Sequence, residues 1–320
     1  MLAHWDEVET REVDFGHLRG RWQDLGRAAG SVAVGLKRIH VAPGGWSTPA
    51  HVHGREEELF YVLGGSGLSW QEGETYELRA GDCLYHAPDG KAHTLHGGDE
   101  GLDVLAFGQR LGDEAAYLPR AGVLWLGAHY VLAGPADSRP WAYEREAGPP
   151  PLPDAPSARP SSIVRVAELE PLPDEDDPPG YESEWRAPGR VAGATNTGLK
   201  HVRVEPGKLN CPHHCHGSEE ELFVILEGSA TLELMASPQA EPPAPTEHAV
   251  RPGHVVSRPA GTGVAHAFRA GPEGLTLLAY GERHPNDIVY YPRSNKLLFA
   301  GVGLIARVES LDYWDGEEER

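Results

Sequence analysis

Two stretches of the chain hold side chains that could grip a metal ion. His51, His53 and Glu58 stand in the order His-x-His and, five residues later, Glu; His214, His216 and Glu221 repeat that order. The register is constant, because 214−51, 216−53 and 221−58 all equal 163. In a strand, residues i and i+2 point to one face, so each His-x-His aims two imidazoles into one volume. The Glu then falls on the next strand, after a turn at Gly54 or Gly217. The apolar runs 59–63 and 222–226 fit buried strands and end at Gly65 and Gly228. Each half also offers a fourth donor, His93 or His266, at a shift of 266−93 = 173.

Three neutral imidazoles and one carboxylate suit a divalent first-row ion, and the set leaves it a residual positive charge. Zinc would be nearly satisfied by four protein ligands and would tend towards a closed, structural site. Mn, Fe, Ni or Co can take six ligands and would keep two adjacent positions for water, substrate or dioxygen. Such a pair of positions suits a carboxylate, an enediol or a catechol, with the ion as Lewis acid and template. The expectation is one ion per half.

The chain resembles the cupin superfamily, specifically a bicupin. The family's first motif, G(x)5–6HxH(x)4E(x)6G, is met by Gly44 or Gly45, His51, His53, Glu58 and Gly65. It is met again by Gly207, His214, His216, Glu221 and Gly228. The second motif, G(x)5PxG(x)2H(x)3N, is met by Gly81, Pro88, Gly90 and His93, with one extra residue before the proline. Its second copy is Gly253, Pro259, Gly263 and His266, with a longer spacing from proline to glycine. Both copies lack the closing Asn, where Gly97 and Ala270 stand. The resemblance implies an all-β fold of two tandem jelly-roll (double-stranded β-helix) barrels. It also implies a menu of chemistries, since one fold hosts many. Related bicupins include oxalate decarboxylases and flavonol dioxygenases; single cupins include sugar isomerases and storage proteins.

The elements that must position these residues follow the same repeat. Trp22, Gly35, Lys37 and Pro43 return as Trp185, Gly198, Lys200 and Pro206 at a shift of 163. The stretches 31–41 and 194–204 read as strands feeding each His-x-His hairpin. A hairpin is expected over 67–78 with its turn at Glu72-Gly73-Glu74. Its second copy is longer by 172−163 = 9 residues, and its proline-rich run 236–245 reads as a loop. On the strand after Gly81, Leu84 and His86 share one face and Cys83 and Tyr85 the other. Arg110, Tyr117, Arg120 and Trp141 return as Arg283, Tyr290, Arg293 and Trp314 at 173, so each unit carries a tail, expected on a barrel exterior or at the interface. The division expected is 1–147 for the first cupin domain, 148–162 for a proline-rich linker and 163–320 for the second domain. Within the first, residues 1–21 read as a polar lead-in.

Composition narrows the function. A net charge of −20 argues against nucleic acid and against an anionic membrane surface. Three cysteines do not make a disulfide framework, and a Cys-x3-Cys zinc site at Cys211 and Cys215 is disfavoured because Cys215 alternates with His214 and His216. The start carries no basic and apolar leader, which points to the cytoplasm. Lys37 and Lys200 are weighed as substrate anchors against plain solvated lysines. No acid or base beyond the ligands was found in both copies, so no catalytic residue is named. The function expected is a metal-dependent oxygenase, decarboxylase or isomerase acting on a small polar or anionic molecule. The alternative is a non-catalytic cupin that binds a sugar or metabolite, or serves as a storage or scaffold protein. A small-molecule partner is expected, and homo-oligomerisation is left open.

Overall fold

A computed structural model describes residues 1–126, 129–132, 140–172, 177–236 and 246–317, with the run 237–245 expected as a loop lying outside them. The framework of each unit is a pair of very long antiparallel strands. Glu58–Gln71 pairs with His93–Gln109 in the first unit, and Glu221–Ala236 with Val264–Glu282 in the second. Strands of this length must bend to enclose a core. Pairing slips between Val62 and Gly64 and between Gly65 and Gly67, and again between Ile225 and Glu227 and between Gly228 and Ala230. Such bulges bend and twist a strand. Gly65 has φ 72°, and a Cβ there would lie 2.2 Å from the Gly101 carbonyl oxygen; at Gly228 the values are 73° and 2.1 Å from Gly274. The closing glycine of each motif is therefore a steric requirement.

Two antiparallel sheets make each barrel. The first barrel's large sheet runs Ile163–Arg165, Asp82–His86, Glu58–Gln71, His93–Gln109, Val34–Val41, Leu18–Gln23, Arg11–Phe15, with Glu74–Arg79 also on Glu58–Gln71. The second runs Leu2–His4, His254–Arg258, Glu221–Ala236, Val264–Glu282, Thr197–Val204, Ser183–Arg186, with Thr246–Val250 also on Glu221–Ala236. The hairpin between Glu58–Gln71 and Glu74–Arg79 turns at Glu72 and Gly73, both at positive φ, as a two-residue turn demands.

Residues 1–21 are not a loose lead-in: Leu2–His4 caps the edge strand His254–Arg258 of the second barrel, and Arg11–Phe15 with Leu18–Gln23 extends the first. Ile163–Arg165 caps the matching edge Asp82–His86 in return. Exposed strand edges invite wrong pairing, and this exchange covers both. The proline-rich run before it lies along the first barrel: Trp70 Nε1 donates to the Pro151 carbonyl at 3.1 Å, and Arg159 to both carboxylate oxygens of buried Asp82. The tails also differ from expectation. Ala115–Leu118 pairs with Val52–His53, and Ile288–Tyr291 with Cys215–His216, so each tail builds the smaller sheet that carries the His-x-His.

The main apolar clusters follow from the strand period. Inward residues fill each barrel, with Phe60, Leu84 and Val104 in the first and Phe223, Val256 and Phe268 in the second. Outward residues of both barrels form a shared core, in which Leu59, Cys83, Leu105 and Phe107 meet Leu222, Val224, Val255 and Tyr280. Two buried carboxylates pin this interface. Glu57 accepts from the Thr195, Asn196 and Thr197 backbone and from both threonine hydroxyls. Glu220 reciprocates with the Val32, Ala33 and Val34 N–H groups.

Candidate metal centres

In the first barrel the side chains of His51, His53, Glu58 and His93 converge. The Nε2 atoms of the three imidazoles lie 3.6, 3.5 and 2.8 Å from one oxygen, Glu58 Oε2. His51 and His93 are backbone partners, each donating its N–H to the other's carbonyl at 3.2 and 2.9 Å, which brings together residues 42 positions apart (93−51). Glu58 is inward because it shares a face with Phe60 and Val62. Each Nδ1 has an acceptor: His51 with the Pro49 carbonyl at 2.9 Å, His93 with the Lys91 carbonyl at 3.1 Å, and His53 with Glu114 at 3.1 Å. With Nδ1 turned outward to an acceptor, Nε2 is the nitrogen each ring presents to Glu58, the atom a metal would take.

The second barrel repeats the constellation more loosely. His214, His216 and His266 place Nε2 at 3.7, 3.4 and 3.2 Å from Glu221 Oε2. His214 Nδ1 faces the Pro212 carbonyl at 2.8 Å and His216 Nδ1 faces Asp287 at 2.7 Å, whereas His266 Nδ1 has no partner. Cys211 Sγ lies 3.7 Å from His214 Nδ1. Among the described residues, neither Cys211 nor Cys215 joins a cluster of candidate ligands. Lys200 Nζ sits 5.2 Å over the Trp185 ring, and Lys37 is exposed.

Electrostatics suits a cation at both places. Burial pushes the Glu58 and Glu221 carboxyls up, but the imidazoles around them outweigh it and hold both well below the usual range. Burial pulls His53 and His216 down, yet the flanking carboxylates raise each to about 10. Burial dominates at His93, and at His266 it drives the imidazole down to about 3. Each buried carboxylate therefore demands a positive counter-charge. The Nε2 atoms of His53, His216 and His266 and Oε2 of Glu221 are buried with no hydrogen-bond partner. Buried polar atoms are normally paired, and a bound cation would pair these. The donor sets fit a divalent metal.

Several residues around the ligands escaped the sequence reading. Glu114 accepts from His53 and also from the N–H groups of Gly54, Arg55 and Glu56, fixing the turn between the ligands. Asp287 does the same for His216 and Ser218. The two acids stand 287−114 = 173 apart, so the repeat register carried the signal. Glu56, pushed up to about 7 by burial, sits 3.8 Å from His53 Nδ1. His86, by contrast, is a histidine that the sequence places near the first site, on the face of Leu84, and it stacks on His93 with ring centroids 3.6 Å apart.

Comparison with known proteins agrees with this architecture. The family profile "Cupin domain" matches residues 37–107. An uncharacterized Methanocaldococcus jannaschii protein is 38% identical over 48 residues, which spans 15% of this chain and 38% of that protein's length. Among solved structures, a deletion mutant of Bacillus subtilis oxalate decarboxylase superposes with a TM-score of 0.57 at 16% identity, covering 88% of this chain and 76% of that one. Lactobacillus farciminis oxalate decarboxylase in its formate complex gives 0.57 at 15% identity, over 88% and 86%. At such identities the likeness is one of fold. The matched profile and the motif together show a cupin domain at residues 37–107, and the paired barrels give the whole chain the two-barrel fold of the bicupins it superposes on.

Proposed function

We propose that the protein is a metal-dependent bicupin enzyme acting on a small polar or anionic molecule. His51, His53, Glu58 and His93 would hold one divalent ion, and His214, His216, Glu221 and His266 a second. The observation that carries this reading is the orientation of three Nε2 atoms onto one carboxylate oxygen in each barrel, with Nδ1 of the two His-x-His imidazoles tied elsewhere. A six-coordinate ion such as Mn, Fe, Ni or Co is favoured over zinc, because four protein ligands would leave it open positions. One oxalate decarboxylase of the same fold is described with Mn(II) centres, which makes manganese the first ion to try. Bound there, such an ion would polarise a substrate oxygen and template the reactants.

The chain's own residues do the positioning. Glu114 and Asp287 hold His53 and His216 as Nδ1–H tautomers, and the Pro49 and Pro212 carbonyls do so for His51 and His214. Glu56, with a carboxyl near neutrality, could carry a proton at the edge of the first site. The reaction belongs to the oxygenase, decarboxylase or isomerase type, and the likeness in fold puts decarboxylation of a small dicarboxylate first in the assay order. The test is elemental analysis of purified protein, followed by CO2-release and oxygen-uptake assays on small carboxylates and catechols. The expected outcome is bound transition metal and turnover that chelation abolishes. Metal-loaded protein that turns over none of these would favour a non-catalytic binding role.

A further inference from the structure

The two candidate centres differ at the inward position across the strand pair from the candidate glutamate ligand. In the first barrel it is His86, whose ring stacks on His93 with 2° between ring planes. In the second barrel the matching residue is Arg258, at 258−86 = 172, the shift that also relates Gly81 to Gly253. Arg258 stands directly across the strand pair from Glu221. It shares a face with Val256, as Glu221 does with Phe223, and both of those fill the barrel core. The residue is 9% exposed, and its Nε is buried without a partner. No direct ion pair joins Arg258 to Glu221 among the described residues; the guanidinium lies beside the site as a fixed charge.

Arg258 changes the second site in two ways. It adds a permanent positive charge next to a ligand set that carries one negative charge, since a guanidinium does not deprotonate in proteins. It also donates through Nη2 to the Val264 carbonyl at 2.5 Å. Val264 lies two residues before His266, as Lys91 lies two before His93, and the Lys91 carbonyl is the acceptor for His93 Nδ1. In the second barrel the arginine occupies that acceptor, and His266 Nδ1 is left with none. Loss of such an outer partner lowers the basicity of an imidazole ligand.

We infer that Arg258 makes the second barrel the weaker cation site, a self-capped copy in which the guanidinium supplies part of the charge that a metal supplies in the first. At limiting cation the first barrel alone is loaded and does the work. This rests on the metal-centre reading above. The test is titration of chelator-stripped protein with Mn2+, read by calorimetry and by the electron paramagnetic resonance of free Mn2+. Wild type should bind in two classes at least about tenfold apart, the separation a buried unit charge nearby imposes. Glu58→Gln should remove the tight class and Glu221→Gln the weak one. Arg258→Met and Arg258→His should each bring the weak class towards the tight one, whereas Arg258→Lys, which keeps the charge, should leave it weak. The intact tight class in each Arg258 variant reports that the protein has folded. Two equal classes in wild type, or a second class unmoved by Arg258→Met, would overturn the inference while leaving both metal centres standing. Protein that binds no Mn2+ in either barrel would instead end the metal-centre reading.

Discussion

Glu114 accepts hydrogen bonds from His53 Nδ1 and from three successive backbone N–H groups, so one carboxylate orients a ligand and fixes the turn that separates it from Glu58. Removing such a partner typically weakens metal binding about 10- to 100-fold. Glu114→Ala should show a loss of that size in competition with a fluorescent chelator, and an unchanged affinity would deny the residue its orienting role. Protons and a metal compete for the same Nε2 atoms, so bound metal should also be released as the pH falls, which equilibrium dialysis would read. That the eight candidate ligands converge in two groups was legible in the sequence, because their spacing is a strand spacing repeated at a fixed shift. Arg258 was not, because His86 and Arg258 differ in type and only the barrel shows that both point inward beside a ligand.

At the scale of elements, the long bent strands decide whether distant ligands meet. The bulges at Gly65 and Gly228 bend them, and both glycines combine positive φ with an approach that leaves no room for a Cβ. Gly65→Ala should destabilise the protein by more than about 1 kcal/mol, the usual consequence of placing a side chain at an incompatible φ. A lowered midpoint in urea unfolding is the expected reading, and an unchanged midpoint would contradict the account of the bulge. The alternation of inward and outward residues was legible from the strand period: Leu84 and His86 face in, Cys83 faces the other barrel. The roles of residues 1–21 and of the tails were not, because their partners lie far away in sequence. Leu2–His4 pairs with residues more than 240 positions on, and no local pattern encodes that.

For the whole molecule, the two barrels are locked by one carboxylate from each. Glu57 and Glu220 directly precede the candidate ligands Glu58 and Glu221, and strand alternation sends each pair in opposite directions, one acid to the candidate site and one to the other barrel. Glu57 accepts from five donors in 195–197 and also from the Tyr85 hydroxyl. Hydrogen bonds to a charged group contribute about 1.5–3 kcal/mol each, so Glu57→Gln should cost on the order of 2–3 kcal/mol after partial replacement by the amide. The checks are thermal unfolding and hydrogen exchange at the Thr195, Asn196 and Thr197 amides; unaltered protection there would remove Glu57 from the interface account. The repeat showed these paired acids, at 220−57 = 163, but not their function, since an acid beside a ligand on a strand reads equally as a solvated side chain.

The most direct test of the central claim is an anomalous difference map from crystals grown in saturating manganese. The expected result is two peaks, one among the Nε2 atoms of His51, His53 and His93 and the Glu58 carboxylate, the other among those of His214, His216 and His266 and Glu221. A map with no peak at either cluster, or with manganese held only elsewhere, would contradict it.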